Sequence, residues 1–130
     1  MDNNERGLVT VPSRYSFPET LEKILSAIQE KGLKLFSVVD HSGEAEKAGL
    51  LMHPTQLVIF GAPKGGTPVM VAAPTAAIDL PLKSLVWQDD DNKVWVTFNS
   101  ADYLAQRHGV PENLVKNISG VGALVQKALE

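Results

Sequence analysis

Leu82-Lys83-Ser84-Leu85-Val86-Trp87-Gln88, then Asp89-Asp90-Asp91-Asn92, then Lys93-Val94-Trp95-Val96-Thr97-Phe98, is the stretch whose reading decides the fold. Two β-branched and aromatic runs flank four residues of strong turn chemistry, which reads as a hairpin with a four-residue connection. A hairpin makes its two strands antiparallel. Trp87 and Trp95 stand on either side of the turn, where they can pair across one face.

Upstream, Gln56-Leu57-Val58-Ile59-Phe60-Gly61 is nearly all apolar and reads as an interior strand. Lys34 to Val39 alternates as a strand, and Gly7 to Pro12 reads as the first one. Between these lies the most strongly signalled helix. Ser16 stands three residues before Glu19, Pro18 sits in the first turn, Leu21, Ile24, Leu25 and Ile28 follow at helical spacing, and Gly32 closes it. Ser42 is expected to cap a short helix up to Gly49. Thr67-Pro68 is expected to start another that Pro74 stops, Ser100 caps one through Arg107, and Pro111 to Leu129 reads as a final helix. Short connections and a hairpin predict an α+β fold: one domain over residues 1–130, a largely antiparallel sheet, and helices packed on one face.

Composition narrows the chemistry. The 130 residues are 44% hydrophobic and 21% charged, the balance of a globular chain with a core of its own. No cysteine is present, which removes disulfide frameworks, thiol nucleophiles, zinc fingers and iron–sulfur clusters. Twelve Lys and Arg stand against 15 Asp and Glu, spread along the chain, so no basic stripe for nucleic acid forms. The N-terminus lacks signal-peptide order and no apolar run reaches the roughly 20 residues of a membrane span. The expectation is a soluble cytoplasmic protein without membrane or nucleic-acid partners.

In order along the chain come Asp40-His41, Ala48-Gly49-Leu50, Pro54-Thr55, Phe60-Gly61-x-Pro63, Gly66-Thr67, Asp79-Leu80-Pro81-Leu82 and Leu104-Ala105-x-Arg107. Over about Tyr15 to Gly109 this order and spacing resembles the family called domain of unknown function 302, with the C-terminal helix 111–129 outside it. The resemblance implies a TATA-box-binding-protein-like β-α-β4-α fold and a homodimer, and it supplies no catalytic residues. The chain departs from that pattern at Ala62, where the family often has asparagine, and at Ser100, where proline is common. If that asparagine touches a ligand, the ligand here differs.

Several constellations are candidates for chemistry. Asp40-His41 follows a strand; the imidazole can serve as base, acid or ligand, or Asp40 can simply cap the next turn. His41, His53 and His108 show no metal spacing, so neither metal nor cofactor is expected. Gly61 to Thr67 has the strand, glycine-rich turn and helix start of an anion site, yet Lys64 precedes the glycines and the nucleotide-phosphate pattern is broken. Its structural alternative is a tight turn with positive-φ glycines. Asp79 either caps the sheet end or lines a pocket beside that loop. No serine has a histidine and an acid at a recognised spacing. Leu114, Ile118, Val121, Val125 and Ala128 form an apolar seam that covers the chain's own sheet or meets another subunit, with Gly120 and Gly122 marking a close approach or a break.

These residues support three readings. The first is a domain that binds a small molecule, anionic or carboxylate, through Asp40, His41, Lys64, Gly66, Thr67 and Asp79. The second is an enzyme with His41 as general base and Lys64 or the Thr67 helix start stabilising a developing anion. The third is a dimeric interaction protein.

Overall fold

The computed structural model describes residues 2–3 and 5–130. The main sheet strands are β2 (Leu8–Ser13), β3 (Lys34–Asp40), β4 (Thr55–Gly61), β5 (Leu82–Gln88) and β6 (Val94–Asn99), with a two-residue strand β1 (Asp2–Asn3) added at one edge. They lie in the order β1-β2-β6-β5-β4-β3, every neighbouring pair antiparallel. The expected α+β fold is therefore present. The hairpin closes as read, with Asn92 at a φ of 63° in the turn and the Trp87 and Trp95 rings stacked, 6.2 Å between centroids.

Strand alternation sets the core. Val9, Val11, Val58, Phe60, Val86, Val94, Val96 and Phe98 are buried on one sheet face. Against them lie helix α1 (Phe17–Glu30), through Ile24 and Ile28, and helix α5 (Val121–Ala128), through Val121, Leu124 and Val125. The α1 signals act as read: Ser16 accepts from the Glu19 backbone N–H, and Gly32 takes a left-handed φ of 69° just past the helix. Leu57, Ile59, Leu85, Trp87, Trp95 and Thr97 occupy the other face, half-buried.

The remaining helices, α2 (His41–Lys47), α3 (Pro63–Ala72) and α4 (Ala101–His108), come with two 3-10 turns, Pro74–Ile78 and Glu112–Ile118. A second apolar cluster joins α3, α4 and both turns through Val69, Ala73, Ala76, Leu104, Val110 and Ile118.

Three local expectations are corrected. The cap of α2 is Asp40, whose side chain accepts from the Gly43 N–H, while Ser42 donates to that same carboxylate. Helix α3 starts five residues earlier than expected. Pro63 takes the first helical position and Ala62 the cap, with the Gly65 and Gly66 N–H groups both bonded to the Ala62 carbonyl at 2.9 Å. Thr67 is thus in the second turn, so it marks no helix start, and neither Gly65 nor Gly66 has a positive φ. The segment after Pro111 is two elements, because the chain breaks at Ser119-Gly120. Ile118, Val121 and Val125 of the apolar seam are buried within the chain's own cores.

Candidate ligand-binding site

The sheet register gathers one group of residues at one end of the molecule. Lys34 pairs with Gly61, and Phe60 pairs with Leu82. The end of β4, the start of β5 and the first half of β3 are therefore adjacent. A bulge between Leu35 and Ser37 displaces Phe36 from the ladder. Helix α3 leaves Gly61 directly, and the Glu112–Ile118 turn packs on it, with Gly65 so close that an added Cβ would lie 3.3 Å from the Asn117 carbonyl oxygen. Between these elements is a cavity of about 260 Å³. Its apolar walls are Phe36, Met70, Leu80, Pro81, Leu82 and Ile118, and its floor includes the backbone of Gly61 and Gly66.

Two of the lining residues have polar side chains, Thr67 and Asn117. Asn117 Nδ2 donates to the Gly65 carbonyl at 3.1 Å, which fixes the amide and leaves one N–H and Oδ1 free. Ala62, at the cap of α3, adds only a methyl group. No charged side chain lines the cavity.

Lys34 Nζ lies over the Phe36 ring, 4.9 Å from its centroid, and the charges of the adjoining turns pair with one another or with backbone. The Asp79 carboxylate takes Arg107 Nη1 at 2.9 Å and His108 Nε2 at 2.5 Å, and His108 Nδ1 meets the Thr75 hydroxyl at 2.9 Å. Asp79 and His108 side chains are 18% and 6% exposed. This cluster ties the Pro74–Ile78 turn to the end of α4, just before the cavity wall at Leu80-Pro81. Lys83 donates to the carbonyls of Asp79 and Pro81 at 3.1 and 2.8 Å. Burial pushes its ammonium pKa down, with the Asp79 charge opposing the shift.

Of the six residues singled out from sequence, Gly66 and Thr67 line the cavity, Lys64 is exposed beside it, and Asp79 is the centre of the adjoining cluster. Asp40 and His41 are elsewhere. Asp40 pairs with Gln56, six positions along β3 from the Lys34–Gly61 pair, about 20 Å away at 3.3 Å per residue. The Asp40 carboxyl is held below its usual value by the Gly43 N–H and then by the Ser42 hydroxyl, as befits a helix cap. It borders a separate open groove with Phe17, Leu21 and Met52, and His41 is exposed. Among the described residues no group of three metal-ligating side chains occurs. The sequence reading missed Phe36, Met70, Leu80, Pro81 and Asn117. Only the Leu80-Pro81 pair carried a signal, as part of the Asp79-to-Leu82 motif.

The profile of the family described as Domain of unknown function DUF302 matches residues 9–130, so it takes in the C-terminal segment as well. A solved structure, that of a DUF302 protein from Bacillus stearothermophilus, superposes with a TM-score of 0.79 over 95% of both chains at 15% identity, a likeness of fold. Curated relatives named fluoride-specific ion channel FluC 1, from Brucella suis and Brucella abortus, are 44% identical over 106 residues. That match takes 82% of this chain but only 42% and 39% of theirs, so the chain spans about two fifths of the length of these relatives. No helix among the described residues is long and apolar enough to cross a membrane.

Proposed function

We propose that this chain, which belongs to the DUF302 family, is a small-molecule-binding domain whose site is the cavity between β4, α3, the start of β5 and the Glu112–Ile118 turn. One observation carries this reading. Two separate stretches that carry the family-like motifs, Gly61 to Thr67 and Leu80-Pro81-Leu82, supply most of one apolar concavity with a few polar side chains. Such a concavity is the usual form of a ligand site. The enzymatic alternative based on His41 lacks comparable support, since the register separates His41 from Lys64 and Thr67.

The test is thermal unfolding and heteronuclear NMR with a panel of small aromatic and aliphatic fragments. Saturable shifts at Gly61, Gly66 and Ile118 support the site, and saturable shifts confined to other surfaces sink it. The proposal includes a cytoplasmic chain that works as a homodimer. The exposed apolar side chains of edge strand β3, Leu35, Phe36 and Val38, favour that pairing; sedimentation equilibrium measures it.

A second reading comes from the partial overlap with the Brucella relatives. The matched region accounts for well under half of proteins named as channels, and no helix among the described residues is of span length. In this reading the shared region is an accessory module beside a channel. Removing that region from the Brucella suis protein and measuring fluoride efflux would test it; unchanged efflux and regulation would end the idea.

A further inference from the structure

The cavity's lining says what chemistry it takes. We infer that its ligand is an uncharged molecule, a ring or short branched chain, carrying one neutral polar group such as an alcohol, phenol or primary amide. This inference rests on the binding role proposed above and adds the ligand class.

Size comes first. An apolar cavity of about 150 Å³ accepts a benzene ring. The 260 Å³ here therefore admits a ring with a short substituent, and any larger ligand would extend past the exposed rim at Ala62, Pro63 and Thr67.

Charge comes second. Every wall facing the space is apolar or neutral, so a buried carboxylate or ammonium would lose water and gain no counter-ion. The nearby cations do not line the space: Lys34 Nζ is exposed and lies over the Phe36 ring, 4.9 Å from its centroid. Arg107 and His108 share the Asp79 carboxylate, and Lys83 is bound to two backbone carbonyls. Lys64 is exposed and is not among the lining residues. The expectation of an anionic ligand was built on a helix start at Thr67; α3 starts at Pro63 instead, where the Gly65 and Gly66 N–H groups are taken by the Ala62 carbonyl.

Polar character comes third. One N–H of the Asn117 amide is held by the Gly65 carbonyl, and the amide keeps a second N–H donor and the Oδ1 acceptor for a ligand group within reach. The Thr67 hydroxyl makes no hydrogen bond within the described residues and can donate or accept, so it complements either end of an amide or alcohol. Two neutral polar side chains against mostly apolar walls match a ligand that is apolar over most of its surface and polar at one point.

The experiment uses matched probes on the intact chain: benzyl alcohol and benzamide as neutral ligands, benzoate and benzylammonium as charged isosteres, and toluene as the purely apolar one. Titrations followed by ¹H–¹⁵N spectra give each Kd. The neutral polar probes are expected to bind at least tenfold tighter than either charged isostere, with shifts at Gly66, Thr67 and Asn117. Thr67→Val, which keeps the shape and removes the hydroxyl, is expected to weaken benzyl alcohol and benzamide severalfold and to leave toluene unchanged. Benzoate or benzylammonium binding in the cavity as tightly as benzamide would overturn the ligand class while leaving the site itself standing. Saturation by none of the five probes would remove the site and the ligand class together.

Discussion

Gly66→Ala is expected to stabilise the fold and obstruct the site at once. Gly66 lies inside α3, where alanine is favoured over glycine by roughly 1 kcal/mol because glycine loses more backbone freedom on folding. An added Cβ would meet Met70 Cε at 3.9 Å and Leu80 Cδ1 at 4.0 Å, ordinary contacts that require nothing to move. The methyl group is half-buried, so it adds less than the ~0.8 kcal/mol of a fully buried one. The net gain is about 1 kcal/mol, or roughly 3–5 °C in melting temperature for a domain of this size. Gly65→Ala is the control. It has the same helix gain, but its Cβ would lie 3.3 Å from the Asn117 carbonyl oxygen, so α3 must shift off the Glu112–Ile118 turn. It is expected to be neutral or destabilising. Thermal and urea unfolding followed by circular dichroism measure both, and probe titration measures the site. A Gly66→Ala protein that is less stable than the wild type, or indistinguishable from Gly65→Ala, would refute the placement of α3 against its neighbours.

Asp79→Asn should cost about 1–3 kcal/mol in urea unfolding, because it removes a charged acceptor from Arg107 and from the nearly buried His108; a change under 0.5 kcal/mol would mean the cluster is incidental. Asp89 gives a pH dependence. Its carboxyl pKa is lowered first by the Trp95 indole N–H, then by the Lys93 backbone N–H, with the Asp91 N–H adding a smaller effect. A lowered folded pKa stabilises above the ordinary carboxylate value and is lost as pH falls through the folded one. The melting-temperature gap between wild type and Asp89→Asn should therefore narrow below about pH 4, the unperturbed carboxylate range; a gap constant down to pH 2 contradicts this. Gly109 closes α4 at a φ of 67°, and alanine there should cost about 1–2 kcal/mol, measured by the same urea titration. A neutral Gly109→Ala would mean the left-handed cap is dispensable.

What the sequence made legible was local or periodic. The hairpin at Asp89–Asn92 and the Ser16 cap of α1 depend on residues within a few positions of each other, and both formed as read. The start of α3 was misplaced because Thr67-Pro68 and Ala62-Pro63 offer the same local signal of a proline after a turn. The choice falls to tertiary packing, where Gly65 fits against Asn117, far along the chain. The C-terminal seam had helical spacing, but spacing is blind to a break at Ser119-Gly120 that turns its two halves toward different clusters.

The candidate site divides on topology. In an antiparallel pair the end of β3 and the end of β4 lie at opposite ends of the strands, so Asp40-His41 and Gly61–Thr67 belong apart. The start of β5 lies beside the end of β4, so Asp79 and the α3 entry belong together. That much follows from antiparallel order. The displacement of Phe36 by a bulge, and the approach of Asn117, do not.

The most direct measurement is a ¹H–¹⁵N titration of the intact chain with benzamide, read residue by residue. Saturable shifts that cluster at Gly61, Gly66, Thr67, Asn117 and Ile118 are expected, and they should collapse in Gly66→Leu, whose side chain fills the cavity of a protein that still melts cooperatively. Shifts centred on Asp40 and His41, or shifts that survive Gly66→Leu unchanged, would place the site elsewhere and contradict the proposal.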